Sequence, residues 1–245
     1  MQEDELSIAG LRTIVAGDAD ARCLVVMLHG FAMQPSDLSP FAHSLGVKAV
    51  FAFPEAPVRA ELTPAVFNGK TWWAIDPVAR AESLAQGPRD LFEEHPAGLT
   101  EARELLLRFI AELRAHPRFA ELPLVLTGFS QGGMLACDTF LRHELDLSGL
   151  ALLSSSRIAF DEWAKLLAAK PPRTFPPVFV SHGQLDQDLA FSTGLALRDC
   201  LTSAGATVTF VEFPEGHVIP VLVWRAFRKF LSAIIERSAV RPREG

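Results

Sequence analysis

At 245 residues, 49% hydrophobic and 21% charged, the chain has the composition of a globular protein with a large core, and disorder is excluded. The formal net charge is −6, and the scattered arginines form no stripe able to follow a phosphate backbone, so no nucleic-acid partner is expected. No apolar run approaches the ~20 residues needed to cross a bilayer, which argues against stable membrane insertion.

Taken in chain order, residues 7–15 alternate well enough to form an antiparallel edge strand. Residues 23–28 and 49–53 are apolar at successive positions, as in strands buried on both faces of a parallel sheet. Residues 54–98 then break the rhythm. Six prolines interrupt any long helix there, while Phe67, Trp72, Trp73 and Ile75 add apolar bulk. An excursion of this kind reads as a lid-like functional loop or as an irregular layer that plugs the core. Residues 100–116 place Leu105, Leu106, Phe109, Ile110 and Leu113 on one helical stripe, with Thr100 as an imperfect capping signal because Arg103 holds the capping-box position. Strands follow at 122–126, 150–153, 178–181 and 208–213, and further helices at 192–204 and 219–235. The basic end, 237–245, reads as a frayed tail. There is no internal repeat. The βαβα alternation predicts one α/β domain over 1–245, a three-layer sandwich around a mostly parallel sheet.

The chemistry is concentrated at Gly128-Phe129-Ser130-Gln131-Gly132-Gly133, directly after an apolar strand. Small residues around a serine at this spacing suit a nucleophile elbow, a sharp strand-to-helix turn that presents the hydroxyl at a helix start. A serine needs a base and an orienting acid. In parallel α/β sheets such partners gather beyond the carboxyl ends of later strands. Asp186 and Asp188 follow the strand at 178–181, and position favours Asp186, with Asp188 read as a helix cap or a solvated carboxylate. His217 follows the strand at 208–213, beside Gly216. The order Ser130, Asp186, His217 is that of an α/β hydrolase. Of the other histidines, His43, His95, His116 and His143 read as surface or capping residues, and His182 as structural. The oxyanion site needs two backbone donors. Gln131 follows the nucleophile, and Gly30 allows close approach of the loop after the first buried strand, so the Phe31 N–H is the second candidate.

Together these segments resemble the phospholipase/carboxylesterase family of serine α/β hydrolases, which includes bacterial carboxylesterases and acyl-protein thioesterases. The likeness is carried by Leu28-His29-Gly30-Phe31, Phe53-Pro54-Glu55-Ala56-Pro57, the stretch from Asn68-Gly69 to Trp73 with Asp76, Gly128 to Gly133, His182-Gly183 with Asp186, and Gly216-His217. It implies an α/β-hydrolase fold and matches Ser130, Asp186 and His217 to nucleophile, acid and base, and Phe31 and Gln131 to the oxyanion donors. Trp73 matches a tryptophan near the acyl pocket; with Trp72 and Phe67 it suggests an apolar substrate site. Gln187-Asp188-Leu189 departs from the family, where a short apolar residue and a valine commonly follow the acid. The loop after Phe31, residues 32–37, is also less typical.

The function so implied is hydrolysis of carboxylic esters, and of thioesters, with small to medium acyl chains, through an acyl-enzyme and with no metal or cofactor. A lysophospholipase, an acyl-protein thioesterase and a non-catalytic binding domain are the alternatives. Activity is expected to fall on acidification as the imidazole is protonated. Three dispersed cysteines, Cys23, Cys137 and Cys200, form neither a disulfide framework nor a metal site, and Cys23 and Cys137 read as buried, inert thiols. The acidic start, residues 1–6, has no signal-peptide pattern, so the cytoplasm is the expected compartment. A homodimer stays open.

Overall fold

Strands that are apolar at every position need cover on both faces, and the computed structural model supplies it in three layers. The structure describes residues 2–61, 69–169 and 174–240. The chain runs β1 (Gln2–Ile8), β2 (Leu11–Gly17), β3 (Leu24–Leu28), α1 (Ser39–Ser44), β4 (Val50–Pro54), β5 (Val58–Arg59), β6 (Lys70–Thr71), α2 (Pro77–Ala85) and α3 (Leu99–Ala115). It continues with β7 (Leu124–Phe129), α4 (Gln131–Arg142), β8 (Gly149–Leu153), α5 (Phe160–Leu167), β9 (Val178–Gly183), α6 (Phe191–Ser203), β10 (Val208–Phe213) and α7 (Val221–Val240). Eight strands form one sheet in the order β1-β2-β4-β3-β7-β8-β9-β10, and β5 pairs with β6 apart from it. From β4 to β10 every neighbour is parallel, whereas β1–β2 and β2–β4 are antiparallel.

Alternate side chains of β3 feed two cores. Leu24, Val26 and Leu28 pack with Leu106 and Phe109 of α3 and Leu135 of α4, while Val25 and Met27 pack with Val223, Phe227 and Leu231 of α7. All five residues of β3 are buried. Each such aliphatic or aromatic side chain contributes roughly 1.5–3 kcal/mol on burial.

Four expectations change. Residues 7–15 are not one strand but the middle of a hairpin, because Ala9 (φ 50°) and Gly10 (φ 77°) make a tight turn whose left-handed residues match the strand twist. The helix expected from Thr100 starts at Leu99; its cap is Gly98 in the left-handed region (φ 88°), and Thr100 Oγ1 instead accepts from Arg103. The excursion at 54–98 holds a short helix despite its prolines: Pro77 sits at the first turn, where no N–H is needed, and Asp76 caps it by accepting from the Val78 and Ala79 N–H groups. Finally, α7 extends through Arg237 to Val240, into the stretch read as a frayed tail. No helix among the described residues is long and apolar enough to cross a membrane.

Candidate active site

The elbow is a steric consequence of its glycines. Ser130 follows β7 with φ 52° and ψ −118°, outside the ordinary regions for a side-chain-bearing residue, and is held there by its N–H donating to Leu153 O at 2.8 Å. A Cβ on Gly128 would lie 2.2 Å from the Gly132 carbonyl carbon, and one on Gly132 only 2.4 Å from Leu28 O. The start of α4 is therefore pressed against the end of β3, with Ser130 at the tip of the turn.

Beyond β9 and β10 the loops converge. Asp186 is 3% exposed. Its Oδ1 accepts from the Asp188 and Leu189 N–H groups at 2.8 and 2.9 Å, and its Oδ2 from His217 Nδ1 at 2.7 Å. Burial alone would push the Asp186 carboxyl up, but the hydrogen bond and charge of His217 and the two N–H groups outweigh it and hold the group below its usual range. The pairing puts the His217 proton on Nδ1 and leaves Nε2 as the basic nitrogen. The His217 ring rests on Phe129, with centroids 4.9 Å apart. Ser130, Gln131, Phe31 and His217 all border one pocket of about 480 Å³. Among the described residues the Ser130 hydroxyl makes no hydrogen bond; such contacts often tighten only when substrate is bound.

The loop carrying Phe31 is held by His29, whose ring had no assigned role in the sequence. Its Nδ1–H donates to Gly30 O at 2.8 Å, and Nε2 accepts the Ala56 N–H at 3.0 Å. The acceptor bond from Ala56 requires a neutral ring, and burial pushes its pKa down to about 4. Neither the Phe31 nor the Gln131 N–H is hydrogen-bonded among the described residues, leaving both available. The Gln131 side chain points away, accepting from Trp72 N at 3.0 Å and donating to Trp73 O at 3.1 Å. It ties the segment after β6 to the elbow.

The adjacent tryptophans separate. Trp73 lines the pocket, but Trp72 does not. Trp72 is 2% exposed, and its indole N–H donates to His29 O at 2.9 Å, so it belongs to the scaffold of the oxyanion loop rather than to a substrate surface. Phe67 lies outside the described residues. Asp188 is not a helix cap and is only partly exposed: its carboxylate bridges Arg80 and Arg89, and all three border the pocket. The sequence carried no sign of this, since the arginines are 108 and 99 residues away. His182 is fully buried, with Nε2 3.0 Å from Leu189 O and 3.4 Å from Asp186 Oδ2, in keeping with a structural role. None of His43, His95, His116 and His143 lines the pocket. Cys23 and Cys137 are buried, and burial drives the Cys23 thiol up to about 12.

A family model described as Phospholipase/Carboxylesterase matches residues 9–235. An acyl-protein thioesterase 1 of Neurospora crassa is 29% identical over 117 residues, a match spanning 47% of this chain and 48% of that one. An acyl-protein thioesterase 1 of Aspergillus fumigatus is 26% identical over 86% of this chain and 87% of its own length. Among solved structures, esterase PE8 superposes with a TM-score of 0.71 at 24% identity, covering 96% of this chain and 100% of that one. Zea mays acyl-protein thioesterase 2 gives 0.72 at 21% identity, covering 91% and 99%. At such identities the superpositions establish the α/β-hydrolase fold.

Proposed function

The chain belongs to the phospholipase/carboxylesterase family of esterase- and thioesterase-type hydrolases, and from that premise we propose that it is a carboxylesterase working through Ser130, His217 and Asp186. The observation that carries the reading is the Asp186–His217 hydrogen bond of 2.7 Å beside a pocket that also holds the strained Ser130 and two N–H groups unpaired among the described residues. His217 Nε2 takes the Ser130 proton as the hydroxyl oxygen attacks the ester carbonyl. Asp186 keeps the imidazole in the tautomer this requires and stabilises the imidazolium that forms. The carbonyl oxygen, now negative, is met by the Phe31 and Gln131 N–H groups, each typically worth about 3 kcal/mol to the transition state. The alcohol leaves with the proton from His217. Water then attacks the acyl-enzyme by the same route and regenerates Ser130. Trp73 supplies apolar surface for a small to medium acyl chain. The three free cysteines suit a reducing compartment, so the proposal includes a cytoplasmic location.

Ser130→Ala is expected to abolish p-nitrophenyl butyrate hydrolysis and fluorophosphonate labelling while the circular dichroism stays native; hydrolysis at the wild-type rate would sink the proposal. A second reading, thioester cleavage from acylated proteins, is favoured by the names of the fungal relatives. Turnover of an S-acyl peptide against the matching oxygen ester separates the two.

A further inference from the structure

One carboxylate serves two guanidiniums beside the proposed nucleophile. Asp188 pairs through Oδ2 with Arg80 of α2 and through Oδ1 with Arg89 of the segment before α3. The three side chains are largely withdrawn from water, with 23% of Arg80, 11% of Arg89 and 22% of Asp188 exposed. Backbone bonds join the same place: the Arg89 N–H donates to Asp188 O and the Ala190 N–H to Arg89 O, both at 2.9 Å. The Arg80 guanidinium also lies 5.4 Å from the centre of the Phe31 ring. The cluster therefore links the acid loop, α2 and the oxyanion loop around one cavity. Two other carboxylates border that cavity, Asp76 and Glu94. Asp76 caps α2, Glu94 is exposed, and neither pairs with Arg80 or Arg89 among the described residues.

We propose that this ion cluster sets the acyl preference: Asp188 is a positioning residue that holds Arg80 and Arg89 as a polar wall, restricting the site to short or polar acyl groups. The inference rests on reading Ser130 as the nucleophile. Trp73, Ile75, Met134 and Ile158 supply apolar surface in the same pocket. A methylene buried on such a surface strengthens binding roughly fourfold. A methylene laid against paired ions gains much less, because it strips the remaining water from charged groups. Chains that reach Arg80 and Asp188 thus lose the increment that a fully apolar wall would provide.

The test is kcat and KM, measured separately, for p-nitrophenyl esters from acetate to decanoate. Arg80→Leu is the mildest variant, since it leaves Asp188 and Arg89 as a balanced pair; the triple variant R80L/R89L/D188L removes every ion. In both, the octanoate-to-butyrate ratio of kcat/KM is expected to rise about sixteenfold, corresponding to some two methylenes at roughly fourfold each, and chiefly through KM. Arg80→Lys keeps the charge and should keep the wild-type ratio. A ratio within twofold of wild type in both leucine variants, or equal losses at every chain length, would overturn the proposal and leave the cluster a structural brace. A change carried by kcat together with a displaced acid limb of the pH profile would overturn it too, placing the action at His217. Ser130→Ala assayed alongside keeps the two readings apart: activity surviving there removes the nucleophile, whereas a flat ratio removes only the wall.

Discussion

His29 offers a quantitative test, because one buried ring holds the oxyanion loop through two bonds, and the one it accepts from the Ala56 N–H exists only when the ring is neutral. A free imidazole has a pKa of ~6.5, whereas burial pushes His29 to about 4 in the fold. Between these values the unfolded chain binds a proton that the folded one refuses, so stability rises with pH across that window and is lost as pH falls through it. The full effect is about 3 kcal/mol, of which about 2.5 kcal/mol is already lost at pH 4.5. His29→Asn keeps a donor for Gly30 O but gives up the acceptor for the Ala56 N–H, a pH-independent cost of about 1–3 kcal/mol. The assay is urea unfolding followed by circular dichroism for both proteins between pH 4.5 and 8. Asp186, held below the usual carboxylate range, also makes the fold acid-sensitive at lower pH, but it is common to both proteins and cancels in the difference. The stability gap between wild type and His29→Asn should therefore narrow by about 2.5 kcal/mol from pH 8 to 4.5. A gap that stays constant across this range would show that His29 takes up its proton without opposing the fold, and the reasoning would fail.

Other outcomes follow from single contacts. Asp186→Asn should lower kcat about 10⁴-fold, since an amide no longer selects the tautomer with its proton on Nδ1, while Asp188→Asn should cost less than about 10²-fold; a larger loss at position 188 would reverse the assignment. Gly132→Ala brings a methyl within 2.4 Å of the Leu28 carbonyl, where only backbone movement could relieve it. It should destabilise the protein by about 3 kcal/mol or more, read as a lower urea midpoint, and a midpoint equal to wild type would contradict the packing of α4 on β3.

Where a few neighbouring residues decide the conformation, the sequence was sufficient. Continuous apolar runs at β3, β7, β8 and β9 could only be strands covered on both sides, and all four are buried throughout. Small residues around Ser130 demanded a tight strand-to-helix turn, and the strand ends beyond it drew attention to Asp186 and His217, which the fold brings within 2.7 Å. The hairpin at Ala9-Gly10 escaped because alanine is a weak sign of a left-handed turn; pairing with β4 on the far side of β2 stabilises it.

What only tertiary structure decided is which side of a boundary each group occupies. Trp72 and Trp73 are neighbours of equal hydropathy, yet one anchors His29 and the other meets the pocket, an outcome set by the bonds from Gln131, some 58 residues away. Asp188 looked like a solvated carboxylate because its arginines lie around a hundred residues upstream. Local sterics and periodicity are written in adjacent residues and can be read there. Long-range ion pairs and the direction a side chain faces depend on closure of the whole sheet, and no short stretch of sequence contains them.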